Sequence, residues 1–493
     1  MGYNIKIWLI VTILFSVACK EKSKPELVET TLVDKRPNII LIVTDDLGYS
    51  DVGFNGSMDI KTPHLDALAE NGIIFSSGYV AHPFCGPSRA GLMTGRYPHT
   101  IGSQFNIPSN SEAHVRKGIT LEEVFMSKML QNAGYFTGAV GKWHLGAVPD
   151  YHPNQRGFDE FYGFLGGGHD YFPNEYTAKY TQQKAAGQKV IFDYLKPLEH
   201  NGQEVVNPTE YLTDELSGKA ADFVEEASTK EKPFFLYLAY NAPHVPLEAK
   251  EEDLKLFDNI ENVGRRTYAA MVYAVDRGVG QLVDALKAKG EYEKTLIVFL
   301  SDNGGNTDRG ATNYPLKGRK GDTSEGGYRV PMFFHWPEKI NTARTYEYPV
   351  TALDFYPTFA HLAKIEIPDS KKLDGKNVWE AVSNNKNPRK DEMTFVLRHR
   401  EGYSDVGVRQ NEWKALKTNQ NIWKLYDLEA DIGEANDMSS ENPEQLKKMV
   451  KAAELWSKTH TEPQWFDPIE LQEDWEEEEM EKFNDTFNLT WEK

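Results

Sequence analysis

The chain has 493 residues, 40% hydrophobic and 26% charged, an ordinary globular balance with length enough for a large core. Its formal net charge of −19 excludes nucleic acid as the main partner, because phosphate neutralisation needs clustered Lys and Arg. With two cysteines, Cys19 and Cys85, it is not a disulfide scaffold.

The N-terminus reads as an export signal. Lys6 supplies a charge, and Ile7 to Ala18 is an apolar run too short to cross a bilayer. Ser16-Val17-Ala18-Cys19 is similar to a bacterial lipoprotein box, with Cys19 lipidated; the alternative is plain signal cleavage near Ala18. Residues 20–36 are polar and read as a flexible tether. The expected location is the periplasm or cell surface, with membrane contact only through the lipid anchor.

From residue 37 the pattern alternates between strands and helices. Asn38 to Thr44 is a continuous apolar run, as in a strand buried on both faces of a parallel sheet. Thr62 and Pro63 open a helix carrying Leu65, Leu68 and Ala69, and Gly72 ends it. Thr120 and Glu123 form a capping box for a second helix to Gly134, with Leu121, Val124, Phe125 and Met129 on one face. Strands are expected near 135–140, 233–240, 295–301 and 330–336, with helices near 212–227 and 268–289. This is an α/β fold with a large, mainly parallel sheet flanked by helices. Its domain covers 37–375. Residues 376–465 read as a smaller α+β subdomain with a short antiparallel sheet: strands at 394–400, 405–416 and 422–428, then a helix at 443–460 with Leu446, Met449, Val450 and Leu455 as its apolar positions. Residues 466–493 form an acidic tail, expected to be solvated.

Four strands end in polar clusters: Asp45-Asp46, Lys142-Trp143-His144, Asn241 to His244, and Asp302-Asn303. In open α/β sheets ligands bind at the carboxyl ends of strands, so these clusters are expected to converge. Asp45, Asp46, Asp302 and Asn303 are hard oxygen donors that suit Ca²⁺, with Mg²⁺ as the alternative. Arg89, Lys142, His144, His244 and Lys317 supply positive charge and protons, making an anion trap inside an acidic protein.

Cys85-Gly86-Pro87-Ser88-Arg89, followed by Leu92-Met93-Thr94-Gly95-Arg96, resembles the C-x-P-S-R signature of type I, formylglycine-dependent sulfatases. The resemblance extends through residues 37–53, 141–146, 241–246, 299–305, 316–320 and 325–331, in the family's order, and Leu425-Tyr426-Asp427-Leu428 resembles its C-terminal motif. It implies an alkaline phosphatase-like fold and sulfate ester hydrolysis. It further implies that Cys85 is oxidised to formylglycine (3-oxoalanine) by a formylglycine-generating or anaerobic sulfatase-maturating enzyme. Asp45, Asp46, Asp302 and Asn303 then hold Ca²⁺ beside residue 85. Arg89 and Lys142 stabilise its oxygen, Lys317 and His244 contact the sulfate, and one of these two protonates the leaving oxygen. His144 removes a proton from the second hydroxyl of the hydrated aldehyde.

The expected substrate is a sulfated polysaccharide or its oligosaccharides, of ulvan, carrageenan or glycosaminoglycan type. The loop Gly166 to Phe172, with His169 and Asp170, reads either as a sugar grip or as a plain glycine-rich loop. Arg265, Arg266, Arg398 and Arg400 read either as binders of a neighbouring carboxylate or sulfate or as plain surface pairs, with Arg266 the substrate-binding candidate. The competing readings are a phosphomonoester or phosphonate hydrolase of the same superfamily, and a non-catalytic glycan-binding lipoprotein.

Overall fold

The computed structural model describes residues 1–2, 36–108, 116–419 and 421–489. The chain divides into two units, 1–35 and 36–493. The signal-like stretch, Cys19 and most of the tether lie outside the described residues. Among the described residues, no helix is long and apolar enough to cross a membrane.

The main sheet has ten strands among the described residues. Asn38–Thr44 lies at its centre, parallel to Phe234–Ala239 on one side and to Thr295–Ser301 on the other. Phe136–Lys142 continues the parallel order beyond Phe234–Ala239, followed by Glu160–Phe164. Met332–His335 runs antiparallel beside Thr295–Ser301. The central strand explains its own apolar run: Ile39, Leu41 and Val43 enter one hydrophobic cluster, and Ile40 and Ile42 enter the cluster on the opposite face. Successive side chains point to opposite faces of a strand, so a strand covered on both sides has no polar position to offer. The second cluster is roofed by helices Leu212–Ala227 and Val263–Ala288.

Helix Pro63–Glu70 buries Leu65, Leu68 and Ala69 as the periodicity predicts. Its cap differs from expectation. The Thr62 hydroxyl bonds to Asp66, while buried Asp276 of the long helix accepts from the His64 and Leu65 amides. The helix expected from Thr120 is much shorter, Met126–Asn132, and Leu121 and Val124 are exposed. The Arg156 guanidinium donates to the carbonyls of Ile119, Thr120 and Glu123, so these acceptors are held in a turn rather than released to a helix ladder.

The second sheet is antiparallel: Thr394–Arg400, Tyr403–Gln410, Trp413–Lys417 and Lys424–Asp427 in consecutive order. The alternation read as one strand over 405–416 is two, joined at Asn411, whose φ of 51° makes the turn. Helix Pro443–Ser457 buries Leu446, Met449 and Val450 against this sheet; Leu455 is exposed, and Trp456 takes the buried place. The core is shared across the chain. Ala81, Tyr97 and Leu353 join the second sheet's cluster, as do Phe483, Phe487 and Leu489 from the acidic C-terminal stretch. Trp465 and Phe466 belong to the core of the main sheet.

Candidate active site

The carboxyl ends of the parallel strands are stitched together by backbone bonds. The Asp302 amide donates to Thr44, the Asp45 amide to Ala242, and the Tyr240 amide to Val43. The Leu47 amide donates to the Ser301 hydroxyl, which ties the Asp45-Asp46 turn to the Asp302-Asn303 turn. Asp46 and His144 adopt left-handed φ values of 65° and 61°, which sharp turns at strand ends demand. The chemistry-bearing side chains therefore project from four turns into one buried volume.

Cys85 opens helix Cys85–Thr94 and is 3% exposed. Burial pushes its thiol up to about 11, so as a plain cysteine it is a poor nucleophile at neutral pH. Around it, acids and bases interlock. Arg89 Nε donates to Asp302 Oδ2 at 2.7 Å, and its Nη1 donates to the Tyr237 hydroxyl and to the Lys142 carbonyl. Lys142 Nζ pairs with Asp45 Oδ2. Lys320 Nζ pairs with Asp46 Oδ1 at 2.6 Å and lies 3.4 Å from Cys85 Sγ. Asn303 Nδ2 donates to Asp46 Oδ1 at 2.8 Å. His244 Nε2 is 3.9 Å from Asp46 Oδ2, while its Nδ1 is held 2.8 Å from the Val245 carbonyl, which fixes the tautomer and aims Nε2 at the cluster.

These surroundings set the protonation states. Burial opposes ionisation of Asp45, yet Lys142, His244 and Arg89 together hold it well below the usual carboxylate range. Burial and the neighbouring charge of Asp45 raise Asp302 to about 6. Burial, then the cations Lys142 and Arg89, keep His144 neutral. Burial would also discharge Lys320, but Asp46 reverses that and holds it cationic.

A cation fits here. One donor atom each from Asp45, Asp46, Cys85 and His244 falls within 4.8 Å of the others. Asp45 Oδ1, Asp302 Oδ1 and Asn303 Oδ1 are buried without a hydrogen-bond donor among the described residues. Buried oxygens are seldom left so, and hard oxygen donors without a partner in this buried cluster match the demand of a divalent ion such as Ca²⁺.

The structure thus brings together Cys85, Arg89, Lys142, His144, His244, Asp45, Asp46, Asp302 and Asn303. It does not bring Lys317. That ammonium donates to the Glu434 carbonyl at 3.1 Å and lies near the Tyr426 ring. Lys320 takes the place expected of it, three residues along a turn whose Gly318 and Gly321 both have φ of 87°. The sequence offers two lysines in one turn and nothing in their spacing decides which faces inward. His169 also moves from the expected role. It is fully buried, its ring nitrogens face the Asp170 and Lys196 carbonyls, and its own carbonyl accepts from Asn241. Asp170 pairs with Lys179. The neighbouring Tyr171 hydroxyl donates to the His244 carbonyl, so this loop braces the His244 turn rather than presenting groups to a sugar. Arg266 lies on the long helix and faces Asp258 at 3.9 Å. Tyr194 was missed: its ring lies 6.1 Å from that of His244, and no periodic signal marks it.

With this geometry in view, the comparisons converge. The Sulfatase family model matches residues 37–365, and the model described as N-sulphoglucosamine sulphohydrolase, C-terminal, matches 322–460. The chain belongs to the sulfatase family, sulfuric ester hydrolases on the alkaline phosphatase-like fold. It is 32% identical to the uncharacterized sulfatase YdeN of Escherichia coli (strain K12), covering 84% of each chain. It is also 32% identical to mouse arylsulfatase J, over 86% of this chain and 76% of that one. Among solved structures, that of Ps i-CgsB in complex with k-i-k-neocarrahexaose is 56% identical, covers 92% of this chain and all of that one, and superposes with a TM-score of 0.90.

Proposed function

We propose that the protein is an exported carbohydrate sulfatase that removes a sulfate ester from a carrageenan-type galactan or its oligosaccharides, with Cys85 matured to formylglycine and Ca²⁺ held by Asp45, Asp46, Asp302 and Asn303. The observation that carries it is Lys320 Nζ 3.4 Å from the Cys85 sulfur, donor atoms of Asp45, Asp46 and His244 within 4.8 Å of that sulfur, and the buried oxygens of Asp45, Asp302 and Asn303 that lack donors among the described residues. The carrageenan choice rests on the likeness to Ps i-CgsB. Maturation calls for a formylglycine-generating or anaerobic maturating enzyme, and Cys19 is the candidate lipid anchor at the periplasm or cell surface.

When present, the ion supplies Lewis acidity to a sulfate oxygen and the matured side chain supplies an oxygen nucleophile. Arg89, fixed by Asp302 and Tyr237, and Lys142, fixed by Asp45, keep two cations beside residue 85 and favour an anionic oxygen there. Lys320 Nζ, 3.4 Å from the Cys85 sulfur, holds a sulfate oxygen opposite that nucleophile. His244 donates Nδ1–H to the Val245 carbonyl, so Nε2 is bare in the neutral ring. The ring protonates the leaving sugar oxygen only after Nε2 gains a proton, which burial opposes and Asp45 favours. His144, kept neutral by burial, accepts the proton of a hydroxyl at residue 85. Sulfur–oxygen cleavage with one water yields the free sugar hydroxyl, sulfate and a proton.

The test is sulfate release, followed by ion chromatography, from carrageenan oligosaccharides by protein co-expressed with a maturating enzyme. Release from these, with aryl phosphate turned over far more slowly than aryl sulfate, supports the reading. Preferential phosphate release, or none from any sulfate ester, overturns it.

A further inference from the structure

Beside the Cys85 cluster lies a cavity of about 510 Å³, room for a sugar unit or two. Its wall includes Phe84, Phe105, Asn106, Arg398, Arg400 and Tyr403. Two of these adjoin the nucleophile: Phe84 precedes Cys85, and Asn106 Oδ1 accepts from the Gly86 amide.

Arg398 is the unusual member. Its guanidinium lies 4.5 Å from the centre of the Phe84 ring, and Nη1 donates to the Gly321 carbonyl at 2.6 Å. Gly321 follows Lys320, and its amide is tied to the Pro83 carbonyl. A side chain at 321 would start 2.5 Å from Arg398 Nη1 and 3.0 Å from Phe84, so the glycine is what lets the guanidinium seat there. Arg398 is thus locked between the residue before Cys85 and the residue after Lys320. A guanidinium has five N–H donors. Among the described residues, no carboxylate lies within ion-pair distance of Arg398. Arg400, two residues on and on the same face of the strand, is by contrast paired with Asp405 and Asp322. Burial, then the charge of Arg400, pulls Arg398 down to about 10, with Asp405 and Asp322 opposing from beyond ion-pair distance, so it is still charged at neutral pH.

We infer that Arg398 anchors a second oxyanion, a sulfate or carboxylate carried by the sugar next to the one that is desulfated. The inference rests on the sulfatase reading and deepens it. The cleft then selects substrates with two anionic groups one sugar apart. Phe84, Phe105 and Tyr403 offer aromatic surface to the sugar, and the anion fixes its register.

The experiment uses the full, matured protein and the variants Arg398→Met and Arg398→Lys, with thermal melts to establish folding. The readout is the ratio of kcat/KM between two carrageenan disaccharides, one bearing the scissile sulfate plus a second sulfate, the other lacking only the second. A glycosaminoglycan-type disaccharide with one sulfate and one carboxylate distinguishes the two anions. Calorimetric binding to Cys85→Ala protein reads the same preference without turnover. Loss of one charge-assisted bidentate contact predicts that Arg398→Met reduces the ratio by roughly 10- to 100-fold, and that Arg398→Lys reduces it by a few-fold. An unchanged ratio in a folded Arg398→Met protein, or equal loss on both disaccharides, overturns the inference while leaving the sulfatase reading intact. Absence of sulfate release by the wild type, with the binding preference preserved, overturns the reading instead.

Discussion

The two regions that meet at Phe84 handle charge in opposite ways. At the ends of the parallel strands almost every charge is answered: Lys142 by Asp45, Arg89 by Asp302, Lys320 by Asp46, all with side chains nearly sealed from solvent. In the cavity under the antiparallel sheet, Arg398 is partly buried, with no carboxylate within ion-pair distance among the described residues. Isolated buried charge is costly, by several kcal/mol, so a sealed site must bring its own counterions. An open cleft can leave a cation to water until a ligand arrives. The chemistry therefore belongs where the lattice is closed, and selection where it is open. The net charge of −19 makes both arrangements local exceptions.

The largest expected effect strikes the closed region. Chelation of the divalent ion is expected to abolish sulfate release by about 10³-fold or more, with recovery on adding Ca²⁺. Recovery with neither Ca²⁺ nor Mg²⁺ would break the assignment of the orphaned oxygens of Asp45, Asp302 and Asn303. Next come the two lysines. Lys320→Ala is expected to lower kcat/KM by about 10²–10³-fold, whereas Lys317→Ala stays within about threefold. The reverse order would return Lys317 to the site.

A smaller effect follows from Gly167. A Cβ there would lie 2.9 Å from His144 Nε2. Gly167→Ala is expected to displace that imidazole and reduce kcat by roughly tenfold, with little change in KM. Equal loss in KM would instead mark the loop as part of substrate binding.

The smallest effect concerns the wall behind the cavity, where His82, His99 and His460 cluster with ring centroids 5.6 and 4.9 Å from His99. Burial lowers all three, His460 to about 3. Their folded pKa values are depressed, so the fold prefers them neutral. The stability they confer is fully present above about pH 6.5, their unfolded value, and falls as acid approaches the folded value. Each contributes a slope of up to about 1.4 kcal/mol per pH unit in that window. His99→Phe is expected to flatten the decline in denaturation free energy between pH 7 and 5, measured in urea. An unchanged slope would show that His99 is protonated in the fold.

Much of this was legible in the sequence, for reasons particular residues make plain. Asn38 to Thr44 and Thr295 to Ser301 were readable because burial on both faces leaves an unbroken apolar run. The convergence of Asp45, Lys142, His244 and Asp302 followed from their common place after such strands. What escaped was set by distant partners. Arg156 claims the carbonyls that a helix from Thr120 would have used, and Asp276 supplies a cap that Thr62 was expected to give. Lys317 and Lys320 are chemically identical in one turn, and only the fold decides which reaches Cys85. His169 carries the composition of a binding residue but spends both ring nitrogens on backbone carbonyls.

The central claim is that residue 85, within this lattice, is the matured nucleophile of a sulfatase. Its most direct test is peptide mass spectrometry across Cys85 on protein actively releasing sulfate. The account predicts a peptide in which the thiol carbon has become an aldehyde, with specific activity rising in proportion to its fraction. Full activity in protein whose residue 85 is entirely unmodified cysteine would contradict it.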